Sequence, residues 1–223
     1  MNRKEYWNKE YTKYWKEATE EANSEGSVSK IMKTTSGDYK TPGEKVMVDF
    51  FESLHYEKAD KLLDYGCGFG RFYPFFSRIS DYYGIDISQA MIEECAGRYP
   101  ESADRFIVAE GEMLPFEDNY FNKIICYGVF DACYQESAIA EMLRVSKIGG
   151  NILITGKNIN YYEDDEQALI AEEAARKKGH PNFFTDVKNL TVQLMQYADL
   201  KQERYFAYRG DFAHPKYTTS MPD

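Results

Sequence analysis

The stretch LLDYGCGFGR, from Leu62 to Arg71, decides the fold and the class of ligand. Gly66, Gly68 and Gly70 stand at alternate positions behind the acidic Asp64. Glycines let the backbone approach a ligand closely and adopt positive φ. A glycine turn between a strand and a helix often holds a phosphate at the start of that helix. A carboxylate at Asp64 would repel a phosphate, so a different ligand has to be found.

Short β runs alternate with helical patterns around this stretch. The pattern predicts strands over 61–65, 82–86, 105–109, 123–127 and 151–155, and helices over 4–21, 72–78, 88–100, 136–146, 163–178 and 186–198. Pro42 starts a further helix, Gly149-Gly150 marks the end of helix 136–146, and 202–208 is a predicted strand. Strands alternating with helices form βαβ units. The sequence therefore predicts an α/β fold with a doubly wound, mostly parallel Rossmann-like sheet and helices on both faces.

The spacing of the glycines excludes a dinucleotide. The pattern is G-x-G-x-G, and Arg71 takes the sixth position, where a nicotinamide fingerprint has glycine. Asp86 ends the second strand, where an acid accepts hydrogen bonds from both hydroxyls of a ribose. Asp64 and backbone carbonyls suit an ammonium group, and the helix start suits a carboxylate. Together these features describe an amino acid joined to a nucleoside without a phosphate, which is S-adenosylmethionine (SAM).

Four segments in register resemble the class I SAM-dependent methyltransferases. They are LLDYGCGFGR, GIDIS, AEGEMLPFEDNYFNKIICYGVF and SKIGGNILIT, and the likeness extends over roughly residues 42–156, within the broad type 11/25 group. The resemblance implies that Asp64, Gly66, Cys67, Gly68 and Gly70 surround the methionine end of the cofactor. It also implies that Asp86 holds the ribose and that Ile87 lies on one face of the adenine.

The resemblance assigns the segment VAEGEMLPF to the adenine. Glu110 stands where the family usually has the Asp that receives the adenine amino group. The backbone N–H of Gly111 or Glu112 would meet a ring nitrogen, with Met113 nearby. At the end of the fourth strand, Cys126 and Tyr127 would pass beside the methionine moiety and face the substrate.

The acceptor side is less sharply defined. In relatives an N-terminal helical segment often folds over the cofactor, so residues 1–41 are expected to be a helical lid, and Tyr11, Tyr14, Trp15 and Arg71 are candidates to line the substrate pocket. Residues 42–223 are expected to be the SAM-binding domain, less regular from about residue 157. Asp131, where many relatives carry His, is the first candidate for a general base and Tyr127 the second. Asp131 could equally cap the next helix, and Arg71 could equally be an ordinary exposed side chain.

Composition limits the classes of partner. The 27 Lys and Arg against 37 Asp and Glu give a formal charge of −10, which argues against nucleic acid and anionic membranes. Neither a signal peptide nor a membrane-length apolar stretch is visible in the sequence, so a cytoplasmic location is expected. The four cysteines form no CxxC pair and the three histidines are far apart, which predicts reduced thiols and no metal site. The oligomeric state is open, with a homodimer as one option.

The predicted reaction is transfer of the sulfonium methyl to an O, N or C nucleophile of a small-molecule acceptor, such as a metabolite, a sugar or a lipid-like ring. Three alternatives stand beside it. A SAM-binding sensor or assembly protein without catalysis would keep every motif. An aminopropyl transferase would use the same scaffold with decarboxylated cofactor. A nicotinamide oxidoreductase would need the G-x-G-x-x-G spacing, which is absent from the glycine turn.

Overall fold

The computed structural model describes residues 2–13, 48–159, 166–177 and 182–205 of the chain. Within these ranges lies a five-stranded sheet in the order β3-β2-β1-β4-β5, with every neighbouring pair parallel. The strands are β1 (Lys61–Tyr65), β2 (Asp81–Asp86), β3 (Phe106–Val108), β4 (Phe121–Cys126) and β5 (Ser146–Ile154). The order reverses between β1 and β4, and ligands of open α/β sheets bind at such a switch point. The predicted doubly wound α/β fold is confirmed.

Helices connect and cover these strands. They are α1 (Arg3–Glu5), which continues into a π-helical stretch (Tyr6–Tyr11), α2 over 48–52, α3 (Tyr73–Phe76), α4 (Gln89–Arg98), α5 (Gln135–Val145), α6 (Glu166–Lys177) and α7 (Val187–Leu194), with short 3₁₀ turns at Pro100–Arg105 and Phe130–Ala132. Ser88 begins α4 by accepting a hydrogen bond from the Met91 N–H, and Asp186 begins α7 by accepting one from Asn189. Both are residue types that satisfy the otherwise unpaired N–H groups of a first helical turn.

Apolar side chains cover both faces of the sheet. The first face carries Phe51, Leu62, Phe76, Ile125 and Leu153, and the second carries Leu63, Ile85, Ile124, Met142 and Val145. Burying one such side chain contributes about 1.5–3 kcal/mol. Since both faces are covered, the strands read as nearly continuous apolar runs rather than as alternating patterns.

Three predicted elements differ from the observed ones. Helix α3 spans only four residues instead of 72–78. The prediction that Gly149-Gly150 marks the end of a helix is wrong, because α5 stops at Val145 and Ser146 is already extended at φ −76° and ψ 135°. Phe121 pairs with Ser146 while Lys123 pairs with Asn151, so residues 147–150 bulge out of β5. The predicted strand at 202–208 is not found over 202–204, which are irregular; Tyr205 is a bridge residue, and 206–208 lie outside the described ranges.

Some predictions concern residues outside the described ranges. They include the boundary between 41 and 42, the start of a helix at Pro42, and the side chains of Tyr14 and Trp15. Across the described ranges, no helix combines the length and the apolar character needed to cross a membrane.

Candidate active site

The glycine turn after β1 is closely packed at Gly66 and Gly70 and has free space at Gly68. Gly66, Gly68 and Gly70 have φ values of +79°, +53° and +69°, a region that side chains other than glycine rarely adopt. A Cβ on Gly66 would lie 2.6 Å from two methyl carbons of Val129, so this glycine is required by packing. A Cβ on Gly68 would meet only the Met91 sulfur at an ordinary 3.9 Å. Gly68 is therefore the point of the turn that a ligand can approach.

The N–H groups of the turn are largely used within the protein. The Gly66 and Cys67 N–H groups donate to the Ile85 carbonyl at 2.9 and 2.8 Å, and the Gly68 N–H donates to Asp86 Oδ2 at 3.0 Å. The helix that follows, α3, is a single turn. A ligand carboxylate would therefore gain less from a helix dipole here than the predicted longer helix would have offered.

Asp64 is a buried carboxylate behind the turn, only 1% exposed. The Tyr82 hydroxyl donates a hydrogen bond of 2.8 Å to its Oδ2. Loss of hydration raises the pKa of Asp64 to about 7; the Tyr82 hydrogen bond opposes this rise and the charge of Asp86 adds to it. Gly84, opposite Asp64 on β2, makes room for the pair, because a Cβ there would lie 2.8 Å from the Tyr82 hydroxyl.

Asp86 ends β2 on the same face of the sheet as Asp64, since residues two apart on a strand share a face. Its Oδ1 accepts the Ser88 N–H at 2.9 Å and its Oδ2 accepts the Gly68 N–H. Burial raises the pKa of Asp86, and the hydrogen bonds from backbone N–H groups oppose that rise. A carboxylate offers about four acceptor positions, so both oxygens can still receive ribose hydroxyls.

Within the described part of the chain, neither of these carboxylates has a cationic partner: no Lys, Arg or His nitrogen there lies within ion-pair distance of Asp64 or Asp86. Negative charge buried without a partner is costly. A cationic ligand at this point would therefore relieve a cost that the folded chain already carries.

The loop after β3 presents the predicted adenine residues. Glu110 is exposed, with Lys4 Nζ 3.8 Å from its Oε1. Gly111 lies against Tyr65: a Cβ on Gly111 would come within 1.8 Å of the Tyr65 hydroxyl. Met113 is 76% exposed, and Ile87, at the end of β2, is partly exposed. Glu110 and Met113 thus expose their side chains on the loop that follows β3.

Sequence reasoning missed the polar contacts of residues 2–13, which we call the N-terminal segment. Arg3 makes a two-pronged hydrogen bond to Glu112, whose carboxylate also accepts the Tyr134 N–H. Asn8 Oδ1 accepts the Ala90 N–H at 2.9 Å at the start of α4. Tyr11, a predicted pocket residue, packs its ring 4.4 Å from that of Trp7. Only the aromatic spacing of this segment was a signal in the sequence; its polar partners left none.

The predicted general base lies in a buried polar cluster on the acceptor side. Asp131 is 4% exposed, and Lys157 Nζ lies 3.4 Å from its Oδ2 and 2.8 Å from Glu172 Oε1. Asn182 donates a further hydrogen bond to Glu172. Lys157, Glu172 and Asn182 were not predicted, because their proximity depends on how α6 and the following chain pack on the sheet.

The other acceptor-side residues lie in or beside the core. Tyr127 is buried, with its ring edge-on to Phe51 and Phe72 at 5.2 and 5.5 Å. Cys126 is fully buried on the opposite face, so only its backbone can reach a ligand. The Arg71 guanidinium carbon lies 5.1 Å from the centre of the Phe72 ring. All four cysteines are buried and carry free thiols.

Comparison with known proteins agrees with this geometry. Residues 63–154 match the family model described as a methyltransferase domain. The chain is 36% identical over 105 residues to the ubiquinone/menaquinone biosynthesis C-methyltransferase UbiE of Stutzerimonas stutzeri, covering 43% of this chain and 41% of that protein. The fold is similar to that of the YcgJ protein from Bacillus subtilis, with a TM-score of 0.59, 19% identity and 72% of each chain covered.

A further similar structure is the geranyl diphosphate C-methyltransferase from Streptomyces coelicolor A3(2), solved with Mg²⁺, geranyl diphosphate and S-adenosyl-L-homocysteine. Its TM-score is 0.57 at 20% identity, with 69% of this chain and 59% of that chain covered. The chain spans 41% and 44% of the length of the first two curated relatives it matches. The similarity to a methyltransferase domain therefore covers residues 63–154 of the chain.

Proposed function

We propose that the protein binds SAM at the glycine turn and transfers its methyl group to a small-molecule acceptor. The observation that carries this proposal is the pair of carboxylates, Asp64 and Asp86, on one face of the sheet beside the turn. Neither has a cationic partner among the described side chains. SAM brings two positive groups, an ammonium and a sulfonium, together with a ribose.

The residues of the turn fit this cofactor. Gly68 offers an open approach, and Asp64 is held by Tyr82 where an ammonium group could be received directly or through water. Asp86 would hold the ribose hydroxyls, and the exposed Glu110 would receive the adenine amino group. When bound, SAM supplies an already activated methyl, so this chain mainly has to orient two reactants at reacting distance.

The identity of the acceptor is the finer part of the proposal. The curated relatives are C-methyltransferases of ubiquinone and menaquinone biosynthesis. Their names favour a carbon nucleophile on a ring over an oxygen or nitrogen.

Asp131 and Tyr127 remain the proposed catalytic residues, but we expect acid–base catalysis to matter less than orientation of the reactants. Because Lys157 lies beside Asp131, this carboxylate would act on an acceptor only where the acceptor or water replaces that contact. A general base is needed only if the acceptor loses its proton before the methyl is transferred. Orientation and exclusion of water would carry most of the rate enhancement.

Two measurements test the proposal. Isothermal titration calorimetry should give micromolar binding of SAM and of S-adenosylhomocysteine, and none of NADH. Incubation with methyl-labelled SAM and a panel of quinol, phenol, amine and sugar acceptors should transfer label to at least one of them. Absence of SAM binding would refute the proposal. Binding without transfer to any acceptor would instead support a SAM sensor or assembly protein.

A further inference from the structure

We propose that Arg3 is a positioning residue that joins the cofactor side of the site to the acceptor side. The inference rests on the proposed function, because it assigns Arg3 a role in holding the two loops around SAM. The cofactor side is the adenine loop, residues 110–113. The acceptor side is the turn over 131–134, which contains the proposed base.

The first contact is between Arg3 and the adenine loop. Two guanidinium nitrogens of Arg3 donate to the two oxygens of Glu112, the second at 2.6 Å. The side chains are only 14% and 13% exposed. A two-pronged, largely buried pair of this kind fixes both direction and distance, which a single exposed ion pair does not.

The second contact is between the same pair and the acceptor side. Glu112 Oε1 also accepts the backbone N–H of Tyr134 at 2.9 Å, and the Arg3 guanidinium carbon lies 4.6 Å from the centre of the Tyr134 ring. Arg3 therefore contacts the side chains of both loops. Removal of Arg3 would leave the largely buried Glu112 without its cation while it still accepts the Tyr134 N–H.

The protonation of the pair agrees with this geometry. Hydrogen bonding to Glu112 raises the pKa of Arg3. Burial acts to raise the pKa of Glu112, but the hydrogen bonds from Arg3 and from the Tyr134 backbone lower it below its ordinary value. Both groups are therefore charged at neutral pH, and the joint between the two loops is ionic.

Other contacts of the N-terminal segment hold Arg3 in place between the two loops. Asn8 bonds the start of α4, and Lys4 lies near Glu110. Lys9 is the contrasting cation, because its Nζ pairs with Glu5 of the same helical stretch at 3.0 Å and both side chains are largely exposed. Lys9 thus carries the same charge as Arg3 and lies in the same N-terminal segment, but its ion pair is to Glu5 and not to either loop. It is therefore a matched control.

The test uses the full chain and S-adenosylhomocysteine as the probe. Arg3→Ala should weaken its binding about tenfold, as expected for loss of a charged hydrogen bond. Arg3→Lys, which keeps the charge but not the two-pronged geometry, should recover part of the affinity. Lys9→Ala should leave it unchanged. Glu112→Gln, a second variant in case Arg3→Ala folds poorly, should weaken binding in the same direction.

A coupling measurement distinguishes positioning from a merely structural role. Hydrogen–deuterium exchange, measured well below the melting temperatures of both proteins, should show that the ligand protects residues 131–134 in the wild-type protein and no longer does so in Arg3→Ala. Equal protection in both proteins, with affinity within about twofold, would overturn the proposal.

If the wild type binds no ligand, the proposed function fails. The ligand-free comparison still decides the role of Arg3, because faster exchange of both 110–113 and 131–134 in Arg3→Ala supports the joint and unchanged exchange refutes it.

Discussion

The two halves of the site differ in how their buried and partly buried carboxylates are paired. At the carboxyl ends of β1 and β2, Asp64 and Asp86 have hydroxyl and backbone N–H donors but no cation among the described side chains. At the carboxyl ends of β4 and β5, Asp131 shares the ammonium group of Lys157 with Glu172. Asp64 and Asp86 are therefore left to pair with a cationic ligand, whereas Lys157 neutralises much of the charge of Asp131 and Glu172.

The difference teaches where binding free energy is stored. A buried carboxylate without a cation lowers the stability of the folded chain and raises its affinity for a cationic ligand. A buried carboxylate already paired with a lysine serves mainly to fix structure, and it is costly to break. Substitutions at Lys157, Asp86 and Asp64, together with pH titrations, separate these two cases.

The largest effect is expected at the paired half. Lys157→Met leaves Asp131 and Glu172 buried without their shared cation, so the free energy of unfolding should fall by about 3 kcal/mol in urea denaturation. The control is Lys201→Met, whose partner Asp199 is exposed and whose loss should have no measurable effect. An unchanged stability of Lys157→Met would break the comparison between the two halves.

The next effect is expected in ligand binding at the unpaired half. Asp86→Ala removes the proposed acceptor of both ribose hydroxyls, so the dissociation constant for SAM should rise about 100-fold in calorimetry. Asp81→Ala is the matched variant, since Asp81 begins the same strand and pairs with Arg105 at 3.0 Å. Equal affinities of wild type and Asp86→Ala would remove Asp86 from the cofactor site.

A smaller effect is expected from the packing of the adenine loop. Gly111→Ala places a Cβ on the buried Tyr65 hydroxyl, and such overpacking should lower the free energy of unfolding by about 2 kcal/mol. SAM binding should weaken as the loop shifts. Gly97→Ala, in α4 with nothing within 4 Å of the added Cβ, should instead raise stability by about 0.5 kcal/mol. Similar effects of both substitutions would contradict the assigned contact.

The smallest effect, counted per pH unit, is a pH dependence of the free energy of unfolding. Folding raises the pKa of Asp64 from 3.8 to about 7, so the folded state holds more protons between these values. This group's stabilising contribution is complete below its unfolded pKa and is lost as the pH rises through about 7, with a slope of at most about 1.4 kcal/mol per pH unit. Denaturation of the ligand-free protein between pH 5 and 8 measures it, and Asp64→Asn should abolish it.

SAM binding should show the reverse trend. The ionised carboxylate attracts the ammonium group, so affinity should increase from pH 6 to pH 8 in the wild type and stay flat in Asp64→Asn. A flat profile in the wild type would mean that Asp64 does not contact the cationic part of the ligand.

The sequence was sufficient for the sheet and for the positions of the residues that we propose to hold the cofactor. Glycine spacing and apolar runs are local signals, so the glycine turn and the strands ending at Asp64 and Asp86 were predicted close to where they lie. Ser88, the first residue of the predicted helix 88–100, is its cap in the structure, and such a start can be predicted because capping depends on a few neighbouring residues.

The rest depends on contacts between distant parts of the chain. Tyr82 reads as an ordinary strand residue, and only Gly84 and the register of β1 with β2 bring its hydroxyl to Asp64. Lys157 and Glu172 meet through the packing of α6. In the sequence, the bulge at 147–150 resembles the turn that ends a helix. Gly149 has a positive φ, and glycines with positive φ occur both in bulges and in turns at helix ends.

The Arg3–Glu112 contact joins residues 109 positions apart, and this separation has a consequence for the order of folding. Closing a long loop costs entropy that has to be repaid by contacts already formed at the other end. Glu112 and Tyr134 come together only after β3, β4 and α5 have assembled around β1. We therefore expect the N-terminal segment to dock last, so that refolding followed by pulsed hydrogen exchange would protect the sheet before it protects residues 3–12.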